Sequence, residues 1–259
     1  MPRLFIFSLG YTASRIAHSA EGAGWEVVST GRVGTLSFDD AGSVRAALAD
    51  SDQVLSSVPP AADGDPVLER FGDGLLGRRL TYLSSTGVYG DTGGAWVDES
   101  APIGTGRRTA RSEADGAWLA LGARVLRLPG IYGPGRSALE RVREGTARRI
   151  DLPGQVFSRI HVDDVVSGTM LALGAAPGAY NLADDLPCSQ NAVIEHACRL
   201  LGAPLPPLQG PDEAGLSPQA RAFYAENRRV SNRKARRELG WAPRYPSYRE
   251  GLAMLLAAT

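Results

Sequence analysis

A doubly wound α/β sheet is the fold this sequence predicts, and two observations predict it. Short apolar runs bounded by glycine, proline or charge recur at 4–7, 25–29, 36–38, 54–58, 80–83 and 125–128. Runs of this kind read as strands buried on both faces, the pattern of a parallel sheet rather than of a half-exposed antiparallel one. Between them, 14–21, 43–49, 65–76 and 109–121 have the length and composition of crossover helices. Right-handed crossovers then wind helices over both faces of the sheet.

The second half is more broken. The pattern predicts a helix over 137–145, a short strand over 157–160, a helix over 163–173 and a strand over 179–182, with further helices at 189–201, 232–239 and 248–257. The Pro-rich stretch 203–218 is too long for a tight turn, which makes it a candidate lid or binding loop.

The 259 residues, 43% of them hydrophobic, suffice for one large domain or a main domain with a small companion, with no need of cross-links. Lys plus Arg and Asp plus Glu both total 28, so there is no global field to attract nucleic acid or an anionic membrane, and neither partner is expected. Cys188 and Cys198 lack the companion spacing of a zinc site and read as reduced structural thiols; no metal is expected. The first apolar run is shorter than the roughly 7 to 15 residues of a signal core, so the reading is a strand and a cytoplasmic protein.

Ser8-Leu9-Gly10-Tyr11-Thr12-Ala13 follows the first strand and opens the first helix, where a dinucleotide's pyrophosphate meets free backbone amides and the helix dipole. It is a worn G-x-G-x-x-G: Gly10 keeps the close approach to phosphate, while Ser8 and Ala13 replace the outer glycines. A plain strand-to-helix turn is the alternative reading. About twenty residues further on, NAD binding asks for a carboxylate to hold the ribose hydroxyls. The segment is Ser29-Thr30-Gly31-Arg32 instead, and Thr30 and Arg32 suit a 2′-phosphate, which favours NADP over NAD. A solvated turn is the other reading of Arg32. Asp39 is placed to accept from the adenine amine or to cap a helix. Ser57, Val58 and Pro59 end the fourth run and would lie along the cofactor as a rigid, donor-poor edge.

Five separated segments occur in an order that carries a resemblance: Leu83-Ser84-Ser85 with Val88-Tyr89-Gly90; Arg127 to Arg136, with Pro129-Gly130-Ile131-Tyr132 at its centre; Arg159-Ile160-His161-Val162-Asp163-Asp164-Val165; Tyr180-Asn181-Leu182; and Glu238-Leu239-Gly240-Trp241-Ala242-Pro243. The chain resembles the extended short-chain dehydrogenase/reductase superfamily of Rossmann proteins. It is most similar to the NAD-dependent epimerase/dehydratase branch and, within that, to short atypical members of the YeeZ type. The resemblance implies that Ser85 holds the family's catalytic Ser/Thr position beside Ser84, and that Pro129, Gly130 and Ile131 pass near the nicotinamide. It also implies a Rossmann domain over 1–132, with 155–183 returning to it, and a small substrate subdomain over 184–259 with 133–154. Asp163 or Asp164 is expected to cap the helix that follows His161.

One part of the family pattern is missing. The family's reaction uses a Tyr and a Lys at i and i+4, stacked on one helix face so that the ammonium draws the phenol toward neutrality. Counting back from Glu113, those positions hold Thr105 and Thr109; no Tyr lies between Asp91 and Tyr132, and Lys234 is the only lysine in the chain. Arg107, Arg108 and Arg111 fill the same segment and suit either an anion or a solvated helix face, but an arginine keeps its proton and cannot shuttle it. Tyr89 and Tyr132 are the phenols left near the expected cleft, with Arg136 beside Tyr132; packing beneath the cofactor is the first reading of either. His161 titrates near neutrality when exposed, although a buried, hydrogen-bonded histidine is the commoner outcome. The basic run from Arg228 to Arg237 reads as a solvated helix capped by Ser231 or Asn232.

The expected function is therefore that of an NADP-binding oxidoreductase or epimerase-like enzyme, a monomer or homodimer, acting on a polar small molecule. Ser85 stands at its centre, with a base from Tyr89, His161 or the substrate itself. The alternative is an NADP(H)-binding sensor without turnover.

Overall fold

A computed structural model describes residues 1–106 and 109–258, the side chains of Gln219 and Ala220 excepted. The first third runs β1 (Arg3–Phe7), α1 (Tyr11–Gly22), β2 (Glu26–Ser29), α2 (Ala41–Ala49), β3 (Gln53–Ser56), α3 (Pro66–Leu75) and β4 (Arg79–Ser85). A 3-10 turn (Thr86–Tyr89) leads to β5 (Trp96–Val97), α4 (Thr109–Ala120), β6 (Arg124–Leu128) and β7 (Gly130–Tyr132). Next come α5 (Ala138–Arg143), β8 (Arg149–Ile150), β9 (Arg159–His161), α6 (Val162–Ala172) and β10 (Gly178–Asn181). The chain closes through α7 (Gln190–Leu201), β11 (Leu208–Gln209), α8 (Pro218–Tyr224), β12 (Arg229–Val230), α9 (Arg233–Leu239) and α10 (Tyr248–Ala257).

Six strands form one parallel sheet in the order β10-β6-β4-β3-β1-β2. Side chains alternate across β1, so its apolar run feeds both faces. Leu4 and Ile6 pack with Ile16 of α1 and Val165 of α6, while Phe5 and Phe7 pack with Val44, Phe71 and Trp118 of α2, α3 and α4. That two-sided burial is why the strand is continuously apolar. A third apolar cluster joins Tyr132 and Leu139 to Ile194 of α7 and Leu252 of α10.

The expected strand at 36–38 does not form. Leu36 makes one bridge to Thr30, and its N–H donates to Ser29 O at 2.9 Å. A parallel neighbour of β2 needs a crossover of a dozen or more residues, whereas Thr30 to Leu36 folds back as a tight loop. In that loop a β-carbon at Gly34 would overlap the Thr30 backbone. The sheet therefore ends at β2. The helix α8 and the two- and three-residue strands β5, β7, β8, β11 and β12 lie outside the sequence-based pattern; they pair in parallel as β5 with β12, β8 with β11 and β7 with β9. Among the described residues no helix is long and apolar enough to cross a membrane.

Candidate functional site

β2 and β3 lie on opposite sides of β1, so the strand order reverses at β1, and ligands of open α/β sheets sit in the crevice at such a reversal. There Ser8 leaves β1 with φ 69°, a left-handed conformation at the position of the motif's first glycine. The loop is tied down on both sides. Ser8 N–H donates to Thr30 Oγ1 (3.1 Å), Leu9 N–H to Thr30 O (3.1 Å), and Ser57 Oγ to Ser8 O (2.6 Å). Gly31, at φ 117°, comes so near that a β-carbon would lie 3.0 Å from Leu9 N.

Gly10 is the N-cap of α1, and a β-carbon there would meet nothing within 4 Å. No side chain caps this helix and its first turn carries no acid, so its amides and positive dipole end are open to an anion. Ala13 is buried against the core. Thr12 stands half-buried in the first turn. The Tyr11 ring is flanked by the guanidinium groups of Arg15 at 4.3 Å and Arg136 at 4.9 Å, and its hydroxyl donates to Pro134 O at 3.1 Å. This loop fits the pyrophosphate of a dinucleotide.

At the end of β2 the two expected phosphate ligands part company. Thr30 is 1% exposed and its hydroxyl accepts the Ser8 N–H, so it holds the loop rather than facing a ligand. Arg32 is exposed with no protein partner among the described residues. Asp39 accepts from Arg70 Nη1 at 2.9 Å, and the cap of α2 is Asp40, which accepts from Ser43 N at 3.1 Å. Val58 is half-buried and Pro59 exposed beyond Ser57.

At the mouth of β4 the two serines also differ. Ser85 is half-buried; its Oγ accepts the Gly87 N–H at 3.1 Å and caps the 3-10 turn, and its own proton has no acceptor among the described residues. Ser84 is 4% exposed and donates to Asp115 Oδ2 at 2.6 Å, so it points into the packing of α4, not toward a cofactor. Asp115 in turn takes Arg127 Nη2 at 2.7 Å and Nε at 3.1 Å, both side chains fully or nearly fully buried. Arg127 Nη1 donates to Tyr89 OH (3.0 Å), and Tyr89 OH to Asn181 Oδ1 (2.8 Å); Glu99 Oε1 accepts the Asn181 N–H at 2.6 Å. Burial lowers Arg127, but the hydrogen bonds and charge of Asp115 outweigh it and hold the guanidinium above its ordinary value. Tyr89 is 2% exposed, and burial pushes its phenol up to about 12 against the pull of Arg127. It is a structural member of this network and no base at neutral pH.

The other candidates fare similarly. Tyr132 donates to Ser247 O at 3.3 Å under α10, where a β-carbon at Gly251 would collide with its phenol, and burial raises its pKa further. His161 is wholly buried between Tyr132 and Tyr245, and burial lowers its pKa. Its Nδ1 accepts the Asp163 N–H at 3.2 Å, so His161 caps α6, the role expected of Asp163 or Asp164. Asp164 instead accepts the N–H groups of Arg244 (2.6 Å) and Tyr245 (3.1 Å). Thr105 donates to Tyr89 O at 3.0 Å, Thr109 opens α4 exposed, and Lys234 Nζ donates to Ala179 O at 2.9 Å. Arg111 donates to Tyr82 OH at 3.4 Å; Arg107 and Arg108 lie outside the described residues. Cations of the basic run are engaged with protein acceptors, Arg228 with Glu226 and Arg236 with Asp185. Asn232 begins α9 without a side-chain cap bond, and Ser231 Oγ accepts the Arg233 N–H at 3.4 Å.

Gly130 and Ile131 edge a cavity of about 440 Å³ whose wall includes Arg136, Arg141, Arg159 and Phe223. Pro129 and Thr86 line a small pocket that shares Gly130 and Phe223 with it. A larger hollow of about 880 Å³ lies between β5, β12 and α9. The cavity at Gly130 is the one tied to the Ser8–Ala13 loop, because Arg136 on its wall lies 4.9 Å from the Tyr11 ring. Asp115, Asn181, Arg141 and Phe223 are absent from the sequence-based site. Only Arg127 and Arg159, charges inside apolar strands, carried a visible signal.

No family model matches the chain. The solved structure of a functionally unknown conserved protein from Silicibacter pomeroyi matches 100% of the chain and 99% of its own length at 39% identity, with a TM-score of 0.89. The 3-diazoavenalumate denitrifying reductase of a Streptomyces species is 33% identical over 200 residues, which are 68% of this chain and 64% of that protein. The chain thus spans less than two thirds of that reductase. The dTDP-glucose 4,6-dehydratase of Bacillus anthracis, solved with NAD, shares the fold at a TM-score of 0.78 and 16% identity, covering 100% of this chain and 97% of that one. Its structural neighbours are NAD-dependent epimerase/dehydratases and other extended short-chain dehydrogenase/reductases, and the chain shares their fold.

Proposed function

We propose that this protein is an NADP-dependent reductase, active in the cytoplasm, that works without a tyrosyl base. The observation that carries the proposal is the Ser8–Ala13 loop: an uncapped helix end, held open by Thr30 and Ser57 at the reversal of strand order. The dinucleotide would lie over 1–132 with 155–183, its substrate against 133–154 with 184–259. When bound, the dinucleotide supplies a hydride. Arg32, exposed and unpartnered among the described residues, is the group for a 2′-phosphate, its planar fork matching two phosphate oxygens. Pro129, Gly130 and Ile131 would bring the reduced ring to the cavity, and Ser85, with its O–H free, would hold the acceptor atom of the substrate.

Tyr89, Tyr132 and His161 are buried and engaged elsewhere, which favours reduction of an unsaturated substrate over epimerisation. Hydride delivery to such a substrate needs only a proton from solvent, whereas epimerising or oxidising an alcohol needs a base to take one. Titration with NADPH and NADH, followed by nicotinamide fluorescence, tests the cofactor. Saturable binding is expected, with Arg32→Ala weakening NADPH by about tenfold or more and leaving NADH unchanged. Equal losses for both dinucleotides would remove the 2′-phosphate assignment, and binding of neither would remove the function.

A further inference from the structure

We propose that the cavity beside Gly130 takes a small planar aromatic carboxylate, its ring against Phe223 and Phe157 and its carboxylate on Arg159 and Arg141. The assignment names the substrate class of the cleft proposed above and rests on that reading.

Arg159, in β9, is 7% exposed yet lines the cavity. Its Nη1 donates to Phe157 O (2.9 Å), Cys188 O (3.1 Å) and Cys188 Sγ (3.1 Å), and its Nη2 to Gln190 Oε1 (3.2 Å) and Ser189 O (3.4 Å). All five partners are neutral. Nε has no acceptor, and no carboxylate stands within ion-pair distance, among the described residues. The nearest acid by charge effect, Asp184, is 1% exposed, and burial pushes its carboxyl up to about 8, so at neutral pH it is mostly protonated and cancels little of the positive charge. A guanidinium left in this state costs several kcal/mol by desolvation, and a ligand anion would offset that cost.

The rest of the wall agrees. Arg141, on α5, has no ion pair among the described residues; burial lowers its pKa first and the charge of Arg159 lowers it further, so the two cations face common ground. Of the acids at this wall, Glu140 is bound to Ser137 in the capping box of α5, and Glu144 is exposed at the rim. Beside Arg159, whose Cζ lies 5.9 Å from the Phe157 ring, Phe223 of α8 stacks on Phe157 with centroids 4.5 Å apart and planes within 7°. Phe223 stays 46% exposed, a large apolar face open beside buried positive charge. A ligand ring stacked there gains about 0.5–1.5 kcal/mol beyond its buried area. The cavity falls in the lower part of the roughly 300–1,000 Å³ range of small-molecule sites.

Calorimetric titration of the full chain with cinnamate, with and without saturating NADPH, tests the assignment. Cinnamamide keeps the ring and removes the charge; acetate keeps the charge and removes the ring. The expected result is saturable cinnamate binding, with both analogues weaker by about tenfold or more. Phe223→Ala and Arg141→Gln should each weaken cinnamate several-fold while the NADPH affinity stays the same. Cinnamamide or acetate binding as tightly as cinnamate would overturn the proposal, as would variants with unchanged affinity. Absence of cinnamate binding to protein that binds NADPH also overturns it and leaves the reductase reading standing. Failure of NADPH alone, with cinnamate still bound to Arg159 and Phe223, would sink the reductase and keep the carboxylate site.

Discussion

Arg127 and Arg159 are both buried in short strands, and they are held in opposite ways. Arg127 has a bidentate carboxylate, Asp115, and a phenol, Tyr89, so its charge is consumed inside the protein. Arg159 has carbonyls, an amide and a thiol, which orient it without neutralising it. The difference teaches that burial of a charge is not by itself a sign of function: the partners decide. A charge answered by an opposite charge is finished structure, whereas one answered only by dipoles keeps its field for something that arrives later.

The comparison can be broken most forcefully at Asp115. Asp115→Ala leaves Arg127 buried without its counter-charge and should cost about 3–5 kcal/mol, read as a fall in the urea midpoint. A loss below about 1 kcal/mol would mean that the Arg127 network is not the structural anchor described.

A test of nearly the same size concerns Asp184, the acid too protonated to answer Arg159. Its folded pKa of about 8 lies above the ordinary 3.8, so the folded state keeps a proton that the unfolded chain has already lost. Below about pH 4 both states are protonated and the group contributes nothing. Between 4 and 8 its contribution to stability falls as pH rises, by up to about 1.4 kcal/mol per unit, and above 8 the penalty is complete. Asp184→Asn should flatten that slope in urea titrations across this window, and an unchanged slope would mean that Asp184 ionises normally and does neutralise Arg159.

The smallest expected effect is at Tyr89. Tyr89→Phe removes one bond from Arg127 and one to Asn181, which should cost about 1–2 kcal/mol. Turnover of a reducible aromatic carboxylate with NADPH should stay within a few-fold of the parent. A loss of a hundredfold or more with the fold intact would return Tyr89 to the chemistry and blur the line between the two arginines.

The sheet and the loop that leaves β1 were legible because their causes are local. Four residues of β1, Gly10 and the start of α1 stand side by side in the sequence, and apolar period and loop composition are enough to read them. Thr30 was legible as a residue and not as a role, because which way its hydroxyl turns depends on Ser8, 22 positions away. Asp115 looks like surface charge until α4 is laid against β6, where Arg127 meets it. The helix α8 escaped because seven residues after a Pro-rich stretch, about two turns, have too little period to announce themselves. His161 was expected beside an acidic cap and turned out to be the cap, since an imidazole with its Nδ1 free can accept an N–H as a carboxylate does.

The missing strand at 36–38 also bears on how molecules of this protein behave toward one another. β2 becomes the margin of the sheet, and a bare margin invites pairing with a second chain. Here Ser29 N–H is taken by Thr35 Oγ1 at 3.1 Å and Ser29 O by Leu36 N–H at 2.9 Å, so the returning loop occupies the strand's own end. The segment that failed to extend the sheet acts as a guard on its border, and lengthening it toward a true strand would trade that protection for a fresh, unguarded edge.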